Sequence, residues 1–486
     1  MKTLCMLCAV VGLAACGAET PADNVPELGG PGAPPPAALT LVEQIDQVET
    51  AGVTFEFATD LDRLAADYVK LALHFGAIDD NYVDAYHGPA VWWDAVPSRF
   101  DELTDGDPDI DVKDLPRWPV WRDEELAKIR EEAGQLQNAI AELNLANQVD
   151  SFRATQLQKI LRALIVRLDV VAGNPVSFDT EVANIYDVEL PIYDLSQYDT
   201  VLAEIDALLP GKGSTAERVD AFRNTLAIPE DKLQTVFDRA IAECRTRTAE
   251  HFDLPEGESF RMEFVNDKPW SGYNYYQGNY ESLIQINTDF PIIIDRAVDL
   301  GCHEGYPGHH VWNLFIERDL VGNRGWIEYT VNPLFGPFGP IAEGSANYGI
   351  DLAFPGDEKI TFERDVLFPM AGLDPDLAGK LEDLNALTGR LSHATNEIAR
   401  LYLDGELTAE EALPLMQKYY LASEEKSAQR LRFVDTYRGY VINYNIGQDI
   451  VRAYVETSDD PWAQFERVLT APFTASDILS ELDTPE

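Results

Sequence analysis

Three of the chain's seven histidines fall within eight residues, His303-Glu304-Gly305-Tyr306-Pro307-Gly308-His309-His310, and the run contains both a proline and a glycine. This segment limits the local fold. On an unbroken helix His303 and His310 share a face but stand about 10 Å apart along the axis. One zinc ion needs each nitrogen within about 2.1 Å of itself. The helix must therefore be interrupted if these side chains act together. Pro307 removes a backbone donor and clashes with the preceding turn, and Gly308 permits unusual dihedrals. A looped-out 305–308 segment brings His309 or His310 back beside His303. His309 needs the smaller distortion, and the other histidine would then support the ligands or meet substrate.

Histidine with carboxylate is the donor set of zinc sites that keep an open position. The common spacing, His-Glu-x-x-His on one helix, is absent because Pro307 stands where the second histidine would be. A third ligand is expected on another element. Glu343 is the best candidate, because it lies in the small, apolar stretch Ile341-Ala342-Glu343-Gly344-Ser345-Ala346-Asn347-Tyr348. A glutamate on such a face is costly unless paired or metal-bound. The plainer alternative is a carboxylate favoured by a helix N-terminus.

The surrounding pattern predicts a mainly α fold. Leu61, Leu64, Tyr68, Leu71 and Phe75 recur at helical spacing after Asp60, a candidate cap. Leu126 to Leu143, Leu157 to Leu168 and Leu233 to Cys244 carry three further stripes, all read as core. One stretch departs from this period. Tyr280 to Thr288 alternates, with Leu283, Gln285 and Asn287 on one face, which predicts a strand in a small β-sheet next to the metal-site helix. Such a strand could align an extended peptide, with Asn287 facing it.

The N-terminus reads as an export signal. Lys2 precedes an apolar run too short to span a bilayer, and Leu13-Ala14-Ala15-Cys16 closes it. This order resembles the bacterial lipobox, which implies a signal peptide over 1–15 and lipidation of Cys16 as the only membrane contact. Gly17 follows, and the lack of aspartate there implies an outer-membrane address in the cell envelope. Residues 16–40 are rich in Gly, Ala and Pro and predict a tether. Residues 41–486 then form the body, large enough for one core or several lobes.

Net charge is −47, which argues against nucleic acid, whose phosphates would be repelled. An acidic, solvated surface is the simplest account. Cys244 and Cys302 remain in the body as one disulfide or as two buried thiols. His74, His87, His251 and His393 are isolated and read as structural.

The motif His-Glu-x-x-Pro-Gly-His-His, followed some thirty residues later by Glu-Gly-x-Ala-x-Tyr, resembles the bacterial family known as domain of unknown function 885. Tyr437-Arg438-Gly439-Tyr440 through Gly447 resembles that family's Ser-Tyr-x-x-Gly segment, with Asn443 in place of the serine. Two other positions depart from the pattern. Ser345 stands where tryptophan is usual, and Ile350, beside Asp351, stands where an acidic residue is common.

The family is similar to zinc peptidases in which two histidines and a downstream glutamate hold the metal. The resemblance implies a zincin-like body and a zinc-dependent hydrolase of peptides, carboxypeptidase- or dipeptidase-like. Zinc held by His303, Glu343 and one of His309 and His310 would activate water. Glu304 would be the base. Tyr444, or else Tyr348, would donate to the oxyanion. Arg438 could meet a substrate carboxylate. Two rivals share the motif: a non-catalytic metal-binding lipoprotein, and a zinc hydrolase of esters or non-peptide amides.

Overall fold

The computed structural model describes residues 57–96, 104 and 111–483. The signal peptide, Cys16 and the tether lie outside the described residues. The body is mainly helical, as the periodicity predicts, with two small sheets. The four apolar stripes fall on α1 (Asp60–Gly76), α2 (Trp118–Ala141), α3 (Gln148–Val171) and α4 (Leu233–Ala249). Leu64, Ile129, Leu161 and Phe237 are among their buried residues. Burial of such side chains contributes roughly 1.5–3 kcal/mol each, and the 3.6-residue period places them on one face. The cap of α1 is Thr59 rather than Asp60. Its Oγ1 accepts from the Asp62 N–H, and the Asp62 carboxylate accepts from the Thr59 N–H. Asp60 sits one position inside, in the first turn.

The larger sheet contains β2 (Ser259–Val265), β3 (Gly272–Gly278) and β4 (Glu281–Asn287), in the order β2-β4-β3. The predicted strand is β4, and it is central: parallel to β2 on one side and antiparallel to β3 on the other. Both of its edges are therefore used, so it cannot itself pair with a peptide. The free edge nearest the histidine segment belongs to β3. The second sheet pairs β1 (Val83–Tyr86) with β5 (Val331–Pro333).

After the larger sheet the chain enters α5 (Arg296–Leu300), continues through a wider helical turn over Gly301–Gly305, and restarts as α6 (His309–Phe315). Then come α7 (Gly339–Ala353), α8 (Glu424–Tyr437) and α9 (Ile446–Val455). Most apolar side chains join one core. A second, smaller core gathers Val201, Ile205, Leu384, Ile398 and Met416. No described helix is long and apolar enough to cross a membrane.

Candidate metal centre and its cleft

A cleft of about 750 Å³ is lined by residues around both cores, and His303, Glu304, His309 and Glu343 lie in its wall. Its histidines meet because the chain folds back on itself after Gly305. The Gly308 N–H donates to the Cys302 carbonyl at 3.0 Å. A Cβ at Gly308 would lie 1.9 Å from the His303 carbonyl oxygen, so no larger residue fits this return. The rings of His303 and His309 end with centroids 4.7 Å apart. Cys302, beside His303, is bonded to Cys244 on α4, so the two cysteines form a disulfide rather than a pair of thiols.

Glu343 arrives on α7, held by α9. A Cβ at Gly344 would lie 2.2 Å from the Gly447 backbone, and only two glycines allow that approach. Oε2 of Glu343 lies 3.1 Å from Nε2 of His303 and 3.6 Å from Nε2 of His309. It has hydrogen-bond geometry with neither, although it is buried. Ligand atoms of His303, His309 and Glu343 all lie within 4.8 Å of one another. Lone pairs that converge without pairing fit a shared cation, and the three side chains together could hold one metal ion.

Two residues that the sequence reading did not assign fix these donors. Asn347, one turn after Glu343 on α7, gives its Nδ2–H to the Tyr444 carbonyl at 2.7 Å. Its Oδ1 must therefore accept from Nδ1–H of His303, 2.9 Å away, which leaves the His303 Nε2 lone pair facing the site. The Tyr440 hydroxyl donates to Oε1 of Glu343, which leaves Oε2 free. The i, i+4 spacing of Glu343 and Asn347 was a usable signal. Tyr440 gave none, because it acts across the fold.

Burial pushes the Glu343 carboxyl up, but His309 and His303 outweigh it and hold the group far below the usual carboxylate range. Burial raises Glu304, and the two histidines offset this only in part. For His303, burial works downward, yet Glu343 and Glu304 carry it above its ordinary value. Glu304 faces β3. A Cβ at Gly272 would lie 2.9 Å from its Oε1, and Asn274 donates to its carbonyl at 2.7 Å. Tyr444 lines the cleft with its ring 6.4 Å from that of His303. Burial and the nearby Glu343 keep its hydroxyl well above the usual range, hence protonated.

The other candidates lie elsewhere. His310 is turned away from the triad: Nδ1 pairs with the Ser282 hydroxyl at 2.8 Å and Nε2 with Glu258 at 3.1 Å. Burial lowers its basicity, so it is a neutral, satisfied core histidine. Tyr348 stands five residues after Glu343, about 140° around α7, and packs against Phe465 and Arg452 outside the cleft. Arg438 is spent on buried Glu181, with Nε 2.7 Å from its Oε2, and does not line the cleft. Asn287 lines it, but its amide donates to the Lys268 and Trp270 carbonyls and its oxygen accepts from Asp289. That side chain holds a turn.

No family model matches the chain, so the resemblance to domain of unknown function 885 rests on the motif residues. No curated protein matches it. Among solved structures the chain is similar to the putative lipoprotein from Colwellia psychrerythraea, at 14% identity over 83% of this chain and 78% of that one, TM-score 0.49. It is also similar to a putative lipoprotein of unknown function from Shewanella oneidensis, at 12% identity over 91% of each chain, TM-score 0.44. A third similar structure is the M32 carboxypeptidase from Deinococcus radiodurans R1, at 13% identity over 84% and 87%, TM-score 0.32. Superpositions this loose carry no argument about function.

Proposed function

We propose that the protein is a zinc-dependent peptidase, exported and anchored in the cell envelope through lipid on Cys16. The observation that carries the reading is the convergence of ligand atoms from His303, His309 and Glu343, all within 4.8 Å of one another, with the Glu343 Oε2 buried and without a hydrogen bond, beside the buried Glu304 in a cleft. Two imidazoles and one carboxylate suit zinc with room for a further ligand. When bound, such an ion supplies Lewis acidity and a water of lowered pKa.

The chain's own groups do the rest. Glu304 adjoins a ligand and has its carboxylate in the cleft, placed to take a proton from water and return it to the leaving amine. The protonated Tyr444 hydroxyl is the donor for charge building on the carbonyl oxygen. β3, whose face at Gly272 and Asn274 packs on Glu304, has its second edge outside the sheet's ladder, and that edge is the backbone on which an extended peptide can align.

A peptide-library digest of zinc-loaded protein, with and without chelator, tests this reading. Chelator-sensitive cleavage is expected. Tight metal without cleavage of any peptide would leave the storage or ester-hydrolase alternatives. Absence of bound metal would remove the enzyme altogether.

A further inference from the structure

The cleft is lined by five cations, Arg223, Arg296, Lys359, Lys426 and Arg430, although the chain as a whole is strongly acidic. Three of them are spent on carboxylates. Arg296 and Lys359 pair with Asp299, and Lys426 pairs with Asp220 at 2.7 Å. Arg223 reaches Thr388 at 3.2 Å and the Asn385 amide oxygen. Arg430 differs. Among the described residues it has no carboxylate partner, and its Nε is buried without a hydrogen bond. Its guanidinium rests on the Phe433 ring, 4.8 Å from the centroid, with Tyr420 at 6.0 Å.

The position is built. Lys426, Gln429, Arg430, Phe433 and Tyr437 line the cleft from one face of α8, at i, i+3, i+4, i+7 and i+11. Gln429 ties that face to the opposite wall through the Lys268 carbonyl. From Arg430 the path to the triad is a short row of rings. Phe433 lies 6.3 Å from Tyr444, and Tyr444 lies 6.4 Å from His303. The charge of Arg430 is felt at the Tyr444 hydroxyl, together with those of Glu343 and Glu304. A guanidinium seated over an aromatic ring, with an unused Nε donor, matches a planar carboxylate. Glu304, Glu343, Asp299 and Asp351 in the same wall would repel a substrate carboxylate that met no such cation.

We propose that Arg430 binds the C-terminal α-carboxylate of the substrate, so that the cleft takes peptides by their free carboxyl end. This inference rests on the peptidase reading and assigns Arg430 the role that the sequence pointed to at Arg438. Water adds across a peptide bond near that end, and the piece that leaves carries both the new amine and the original carboxylate.

The test uses N-acetylated peptides in pairs, one with a free carboxylate and one with a C-terminal amide. Zinc-loaded protein should favour the acid by about 100-fold in kcat/KM, and Arg430→Gln should abolish that ratio through KM. Arg430→Lys should restore part of it, because charge returns without the planar fork. Calorimetric titration of zinc-loaded Glu304→Gln protein with the same pairs reads binding without hydrolysis. Failure of every peptide to be cleaved would defeat the peptidase reading, while the titration still decides on Arg430. Equal binding of acid and amide, no binding of either, or a preference that survives Arg430→Gln overturns the proposal.

Discussion

His309 and His310 are adjacent in the chain, begin the same helix and are both buried, yet their surroundings differ completely. His310 closes a chain of partners, from Ser282 through its ring to Glu258, which also accepts from Tyr306 and Arg245. None of His310, Ser282 and Glu258 lines the cleft. His309 has an unpartnered Nδ1, and its Nε2 lies 3.6 Å from the Glu343 oxygen that has no hydrogen bond, in the wall of the cleft. A serine, histidine and glutamate in a row look like hydrolytic machinery and here make a closed strut. A buried carboxylate oxygen without a hydrogen bond, facing two imidazoles, looks like a defect and is here the centre of the proposed metal site. Satisfaction of polar atoms, rather than residue type, separates the two.

If His309 serves a metal and His310 serves the fold, their variants fail in opposite ways. His309→Ala and Glu343→Gln should lose bound zinc, read by elemental analysis, and drop to the hydrolysis rate of chelated wild type. Glu304→Gln should keep its zinc and lose about 10²–10⁴-fold in kcat. A variant that retains wild-type turnover would sink the base assignment. Asn347→Leu removes the acceptor that orients His303, and zinc affinity should fall about 10–100-fold in competition with a chromophoric chelator. His310→Ala should bind zinc normally yet lose about 3 kcal/mol in urea unfolding, since buried Glu258 is left short of a donor. Ser282→Ala is the mildest, near 1 kcal/mol in the same measurement. Chelator should lower the Tm of wild type and of His310→Ala but leave that of His309→Ala unmoved, because only a protein that binds the ion can lose its stabilisation. Zinc loss from His310→Ala, with its stability intact, would reverse the contrast.

Features that depend on neighbours in the chain were legible in the sequence. The stripes of α1 to α4 were clear because a 3.6-residue period needs only local information. The break between His303 and His309 was clear because Pro307 and Gly308 forbid a continuous helix. Distant partners were not legible. His310 is occupied by a glutamate 52 residues away, and Arg438 by one 257 residues away. Nothing beside either residue announces this. The strand at 281–287 was evident from alternation, but alternation does not say how many edges are already paired. Thr59 and Asp60 are both acceptable caps, and only the backbone chooses between them.

The Cys244–Cys302 bond spans 58 residues of sequence, and that span holds the whole of β2, β3 and β4 together with α5. The strand that packs on Glu304 thus belongs to a closed covalent ring whose clasp sits one residue before His303. A single cut in any turn of the ring leaves every strand attached to the histidine segment. If the protein is exported, as proposed, a nick in this span would leave the wall of the cleft attached. The bond also ties completion of the wall to an oxidising compartment, where such a clasp can form and last.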